Sequence, residues 1–408
     1  MKSLRELYRI GKGPSSSHTM GPNKAAKLFL GKHRDAAAFE VTLYGSLAAT
    51  GKGHMTDTAI IEVLQAAAPV KINWKPEVFL PFHPNGMKFV SLDAANKPTD
   101  EWVVYSIGGG ALSEGKGEDD AFNSPEVYEM NTLTEIMKWC EDTGHSYWEY
   151  VDICEDSDIW DYLMEAWKAM QAAVERGLNH EGRLPGPLNI ARKAPYYYVK
   201  ASGYKQSLQT RGLVYAYALA VSEENASGGT IVTAPTCGAS GVLPAVLYHL
   251  SRGHNFNDTR ILHAMATAGL IGNIVKQNAS ISGADVGCQG EVGVACAMAS
   301  GAACQLFGGS PSQIEYAAEM GLEHHLGMTC DPICGLVQIP CIERNAFAAT
   351  RALDANLYAA FSDGSHRVSF DRVATVMKQT GHDIPSLYKE TGSGGLAKIL
   401  DPNSAREI

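Results

Sequence analysis

Glu291-Val292-Gly293-Val294-Ala295-Cys296-Ala297-Met298-Ala299-Ser300-Gly301-Ala302-Ala303-Cys304-Gln305-Leu306 is a run of small and apolar side chains with no proline and no charge after Glu291. Alanine is the best helix former, and the run is longer than a typical strand. It is read as a long Ala-rich helix. Similar helices are predicted at Leu208–Glu223, Ser240–Ser251, Asn257–Val275 and Ala346–Ala360. Another begins at Ser310-Pro311-Ser312-Gln313, a capping-box pattern with proline in the first turn. Glycines punctuate the gaps, and little strand signal follows Gly182. This half of the chain is therefore expected to be mostly helical, with functional loops at the helix ends. Cys296 and Cys304 inside the run, and Cys140 at the end of an earlier amphipathic helix, are read as packing, because a free cysteine buries like a small hydrophobe.

Upstream the pattern changes. Glu40-Val41-Thr42-Leu43-Tyr44-Gly45, Val70-Lys71-Ile72-Asn73-Trp74, Met87-Lys88-Phe89-Val90 and Trp102-Val103-Val104-Tyr105-Ser106 are rich in β-branched and aromatic residues, as strands are. One helix is predicted after Pro22 and another over Asp57–Ala67. Ala111–Ser124 reads as a loop, and Ser124-Pro125 as a helix start, with serine as cap and proline in the first turn. Trp160, Leu163, Met164, Trp167 and Met170 form a core stripe on a helix from Asp158 to Gly177. The expected class is α+β: a small N-terminal α/β domain over residues 1–120, a helical connector over 121–181, and a mostly α-helical C-terminal domain over 182–408. A length of 408 residues suits two domains. The net charge of -10 argues against nucleic acid and anionic membranes as partners. No apolar run reaches the roughly 18 residues a membrane span needs. The polar start Met1-Lys2-Ser3-Leu4-Arg5 is unlike a signal peptide. A cytoplasmic location is expected, where the nine cysteines would be reduced thiols or metal ligands.

Downstream of the Ala-rich run lies Thr329-Cys330-Asp331-Pro332-Ile333-Cys334-Gly335-Leu336-Val337-Gln338-Ile339-Pro340-Cys341. Its prolines predict a rigid, non-helical loop. Just before the run is Gly287-Cys288-Gln289-Gly290. Thiols gathered from these two places suit an iron–sulfur cluster or zinc. Glu323-His324-His325 keeps a zinc site of mixed Cys and His open, and spacing alone leaves the two metals undecided. Gly13-Pro14-Ser15-Ser16-Ser17-His18-Thr19 sets hydroxyls and an imidazole just before a helix, where an anion site can form. A capped turn is the plainer reading. His54, between Gly53 and a helix start that Thr56 could cap, is a second candidate histidine. Thr236 in Thr233-Ala234-Pro235-Thr236-Cys237-Gly238, and Asn278 and Ser280 in Asn278-Ala279-Ser280-Ile281-Ser282-Gly283, could orient a polar ligand near a metal. Lys200, Lys205 and Lys276 remain open as Schiff-base lysines for a pyridoxal phosphate route.

Taken together these motifs are familiar. Gly-Pro-Ser-Ser-Ser-His-Thr at 13–19, Thr-Gly-Lys-Gly-His at 50–54 and Tyr-Ser-Ile-Gly-Gly-Gly at 105–110 resemble the β part of the iron–sulfur-dependent L-serine dehydratases. Leu184-Pro185-Gly186, Thr-Ala-Pro-Thr at 233–236, Asn-Ala-Ser-Ile-Ser-Gly-Ala at 278–284, Gly-Cys-Gln-Gly-Glu-Val-Gly at 287–293, Cys-Asp-Pro at 330–332 and Gly-Leu-Val-Gln-Ile-Pro-Cys-Ile-Glu-Arg-Asn-Ala at 335–346 resemble the α part. The order is that of a single-chain form. The resemblance implies conversion of L-serine to pyruvate and ammonia with a [4Fe–4S] cluster held by Cys288, Cys330 and Cys341, one iron staying open as a Lewis acid for the leaving hydroxyl. It implies that Cys334 is a bystander and that Ser15, Ser16, Ser17 and Thr19 bind the substrate carboxylate. His54 is the candidate base and His18 a substrate-binding group; Thr236, Asn278 and Ser280 are further binding candidates. A homodimer is implied as well. Three departures stand out. The chain ends Asp-Pro-Asn-Ser-Ala-Arg-Glu-Ile, without the terminal cysteine by which some members block the open iron. Cys237 stands where other members carry asparagine. The short Ala111–Pro125 stretch leaves little room for the regulatory domain of some relatives.

Overall fold

The computed structural model describes residues 1–117, 120–390 and 394–399, so the terminal stretch from 400 lies outside the described residues. The chain packs into two units, Lys12–Ser124 and the combination of Met1–Gly11 with Pro125 onward. The first residues thus belong with the larger unit, and so does the expected connector from residue 125 to 181, its first four residues falling in the smaller unit.

The smaller unit is built on a five-stranded sheet in the order 70–75, 38–44, 86–92, 98–106, 112–113. Only the pair of Ala38–Tyr44 with Val70–Lys75 is parallel; the other neighbours are antiparallel. A parallel pair needs a crossover connection. Thr56–Leu64 lies in that connection, and Gly21–Lys32 precedes the first strand. Phe39, Val41 and Leu43 alternate inward along their strand and join Phe29, Phe89, Ile60 and Leu64 in one core. The Phe29 ring packs against those of Phe39, Phe89 and Trp102. The four predicted strands are all present. The expected loop after 111 instead contributes a fifth, since Leu112–Ser113 pairs with Tyr105 and Ser106.

In the larger unit the opening stretch forms the helix Val294–Leu306, preceded by a wide, π-helical turn over Gln289–Gly293. Every residue of this helix except Gln305 is buried. A helix apolar all round belongs inside a protein. It packs against Val242–His254, Asp258–Asn278, Pro311–Glu323 and Cys341–Ala360. Its small side chains permit this: a Cβ on Gly321 would sit 2.8 Å from the Cα of Ala297. The predicted capping box holds, with Ser310 Oγ accepting from Gln313 N. Cys140, Cys296 and Cys304 are buried in helices as packing residues.

Two helix starts lie more than three residues from expectation. No helix begins at Ser124-Pro125; the next one is Leu133–Thr143, capped by Thr132. The intervening backbone is drawn to the chain start, where Val127 N and Tyr128 N both donate to the Met1 carbonyl. The helix expected over Ala346–Ala360 begins at Cys341 instead. Pro340 precedes it, and a proline flanking the first turn does not disturb a helix.

Candidate active site

Each unit carries one concentration of chemistry. In the smaller unit, Ser16–Met20 form a π-helical turn feeding the helix Gly21–Lys32. Ser15 Oγ accepts from His18 N at 3.1 Å, and Ser15 N donates to Thr19 Oγ1 at 3.1 Å. Thr19 Oγ1 in turn donates to the His54 carbonyl at 2.7 Å. Thr56, expected as a helix cap, instead donates its hydroxyl to the His18 carbonyl at 2.6 Å. These bonds tie the segments bearing the two histidines together. The His18 and His54 rings lie 4.7 Å apart between centroids. His18 Nδ1 is 2.9 Å from Ser17 Oγ, and its Nε2 is 3.2 Å from Ser46 Oγ. His54 Nδ1 is buried and has no hydrogen-bond partner among the described residues. Burial pulls the His54 imidazole down to about 4, and burial with the neighbouring His54 holds His18 well below its usual range. Both rings are therefore neutral at physiological pH, so each keeps a nitrogen able to accept a proton.

In the larger unit, the wide turn before the central helix aims Cys288 and Glu291 at one point. Gly287 introduces it at φ 78°, and a Cβ there would lie 2.5 Å from the Met328 carbonyl oxygen, so only glycine fits. Cys288 Sγ, Glu291 and Cys330 Sγ present donor atoms within 4.8 Å of one another. Cys330 is fixed by its backbone, whose N–H donates to the Tyr388 carbonyl at 2.8 Å. Cys341 opens the helix to Ala360, where free backbone N–H groups favour a thiolate. Asn345 holds it there, donating to the Cys341 and Gly238 carbonyls while accepting from Gly241 N. The Cys288 thiol, then burial, push Cys330 well up; burial, then Cys288 and Glu291, do so for Cys341. Burial, then the Glu390 carboxylate, raise Glu291 to about 7. Arg344 runs beside this group, donating to the Thr329 carbonyl at 2.7 Å. Burial disfavours its charge, but the sulfurs of Cys288 and Cys341 and the Asp331 carboxylate outweigh that.

Comparison with known proteins decides what this arrangement belongs to. The family model described as serine dehydratase alpha chain matches residues 49–397, and the one described as serine dehydratase beta chain matches residues 3–78. The chain belongs to the serine dehydratase family. It is 40% identical to the L-serine dehydratase of Streptomyces coelicolor, covering 97% of this chain and 98% of that protein. L-serine dehydratase 1 of Escherichia coli is 40% identical over 97% of this chain and 99% of its own length. The Helicobacter pylori L-serine dehydratase is 35% identical over 98% and 99%.

Against that family background, the candidate residues fall into three groups. Cys288, Cys330 and Cys341 are buried, and Cys288 acts electrostatically on both of the others; Cys334 is half-buried on a backbone at φ 56°. Ser15, Ser16, Ser17, His18, Thr19 and His54 are gathered in the smaller unit, with the Thr19 hydroxyl committed to backbone. Thr236 joins the thiol group, donating to Glu291 Oε1 at 2.8 Å, and Cys237 beside it is buried. Asn278 is exposed and donates to the Asn131 carbonyl, and Ser280 donates to Asp285, so neither side chain is turned to the thiols. His325 is buried with Nδ1 on the Gly321 carbonyl, and His324 Nδ1 lies against Met320 O; neither joins the thiol group. Lys276 donates Nζ to the Glu6 carbonyl, and burial lowers its ammonium to about 8. Sequence reasoning passed over Ser46, Asn345, Arg344 and Glu291. For Glu291 the signal was present: it follows Cys288 by three residues, the spacing that shares a helix face.

Proposed function

We propose that this serine dehydratase family member removes water and then ammonia from L-serine, leaving pyruvate, with a [4Fe–4S] cluster held by Cys288, Cys330 and Cys341. The observation that carries the reading is the burial of these thiols together: the Cys288 and Cys330 sulfurs lie within 4.8 Å of each other, and Cys288 acts electrostatically on Cys341. Three soft sulfur donors drawn from a turn, a loop and a helix start fit the group, because thiolates are the ligands such clusters use. When bound, the cluster would supply Lewis acidity to a hydroxyl that is otherwise a poor leaving group.

The chain's own residues do the remaining work. The neutral His54 imidazole accepts the α-proton of serine. His18, held between Ser17 and Ser46, keeps that proton site oriented and dry. Hydroxyl and N–H groups of the Ser15–Ser17 turn take the substrate carboxylate, which fixes the α-carbon. Loss of the α-proton and the β-hydroxyl gives aminoacrylate, which tautomerises to an imine; water then releases ammonia and pyruvate. The proposed setting is cytoplasmic, without nucleic-acid or membrane partners. No helix among the described residues is long and apolar enough to cross a membrane. A homodimer is proposed too; exposed Tyr196, Val199, Leu208, Phe347 and Phe361 offer apolar surface for a second copy.

The test is iron and sulfide content and pyruvate release from L-serine by anaerobically prepared protein, beside its Cys330→Ser and Cys341→Ser variants. Wild-type protein should carry both elements and release pyruvate, and each variant should lose both properties. Undiminished turnover in either variant would sink the assignment.

A further inference from the structure

The end of the described chain is fastened to the loop that carries Cys330. Cys330 N donates to the Tyr388 carbonyl at 2.8 Å, and Cys330 pairs with Lys389 in an isolated parallel bridge. Lys389 Nζ donates to the Gly381 carbonyl at 3.0 Å, which ties this segment to the helix Phe370–Asp383. A few residues on, Gly395–Lys398 form a short 3-10 turn that packs against Ile333–Gly335 of the same loop.

Asp331, the buried residue that follows Cys330, makes the second fastening. Its Oδ2 accepts from Leu396 N at 2.8 Å, and its Oδ1 accepts from the Thr329 hydroxyl at 2.8 Å. Arg344, on the helix that Cys341 opens, lies 3.8 Å from Oδ1 and donates to the Thr329 carbonyl at 2.7 Å. One carboxylate therefore joins the terminal segment, the Cys330 loop and the Cys341 helix. The fit is close. Gly395 stands at φ 56°, and a Cβ there would run into Asp331 Oδ2, so only glycine brings Leu396 N–H to the carboxylate. The plainer reading is that Asp331 does no more than satisfy a free N–H at the start of the turn. Such a group serves its own turn, whereas Asp331 also holds Thr329 and faces Arg344, on the side of the loop that carries the thiol.

We propose that Asp331 is a positioning residue for the metal group: it clamps the terminal segment to the Cys330 loop and so keeps the Cys330 thiol buried beside Cys288. This rests on the cluster reading given above. Loss of the carboxylate leaves Leu396 N–H without its acceptor and frees the loop from the terminal segment at that point. Partners that orient a metal ligand in this way typically change metal affinity by about 10–100-fold.

The experiment uses the full-length protein as wild type, Asp331→Ala, Asp331→Asn and Gly395→Ala. On metal-free samples, the alkylation rate of Cys330 by iodoacetamide is read peptide by peptide against Cys296, which is buried in the central helix and reports general unfolding. Cys330 should react at least about tenfold faster in Asp331→Ala and Gly395→Ala, the scale of one buried N–H left without a partner, with Cys296 unchanged. Asp331→Asn keeps an acceptor oxygen for Leu396 N and should stay near wild type. On samples loaded anaerobically with iron and sulfide, iron should pass to a chelator about 10–100-fold faster from the first two variants, again with rescue by asparagine. Equal Cys330 rates in all four proteins, or Cys330 and Cys296 rising together, would overturn the proposal. Should Asp331→Ala fail to fold, Gly395→Ala carries the same test, because it displaces the terminal segment and leaves the carboxylate in place. Wild-type protein that takes up no iron and sulfide would overturn the cluster reading, while the alkylation rates, measured without metal, still decide the clamp.

Discussion

Replacing His54 by glutamine should remove a specific acid sensitivity from the smaller unit. In the native structure burial lowers this imidazole from 6.5 to about 4. The unfolded chain takes up a proton near pH 6.5 that the folded chain refuses until about pH 4. The stability tied to neutral His54 is therefore complete above pH 6.5 and is lost as pH falls toward 4. At 1.36 kcal/mol for each unit of displacement, the loss by pH 4 comes to about 3 kcal/mol, roughly a hundredfold in the unfolding equilibrium. Amide hydrogen exchange in the strands Ala38–Tyr44 and Gly86–Leu92 reads it, since core strand amides exchange through opening of their unit. The ratio of wild-type to His54→Gln protection removes the intrinsic pH dependence of exchange. Between pH 7 and pH 4 that ratio should fall by about two orders of magnitude. A ratio that stays flat would show that protons reach His54 freely in the folded state, and would refute its burial as a neutral base.

Three further outcomes follow from other groups. The acid limb of kcat/KM for L-serine should lie well below the ordinary histidine value of 6.5, toward the lowered His54 value of about 4, in a pH–rate profile. Glu224→Gln should destabilise the larger unit by about 3–5 kcal/mol in denaturant titration, because Arg192 would be left buried without its carboxylate partner 3.0 Å away. Gly283→Ala should lower iron bound per chain with an unchanged circular dichroism spectrum, since its methyl would intrude between Glu291 and Cys330.

The fold was legible where local signals agree with packing. Alternation at Phe39, Val41 and Leu43 and the Ala-rich run ending at Leu306 both announced their elements, because one pattern served a half-buried sheet and the other an all-round buried helix. The reading failed where a long-range contact prevailed over a local one. Ser124-Pro125 is a good helix start in isolation, but the chain start recruits the backbone after it. The same limit shaped the site. Cysteines and histidines announce themselves by type, whereas Asn345, Arg344 and Ser46 matter only through partners distant in sequence. Thr19 shows the opposite case, a residue typed as a ligand whose hydroxyl is spent on backbone.

The measurement that bears most directly on the account is pyruvate release from L-serine across a series of samples loaded anaerobically to different iron and sulfide contents. Activity should rise in proportion to the loaded fraction, vanish in air and return when iron is restored under reducing conditions. Pyruvate release at full rate from protein stripped of iron would contradict the account.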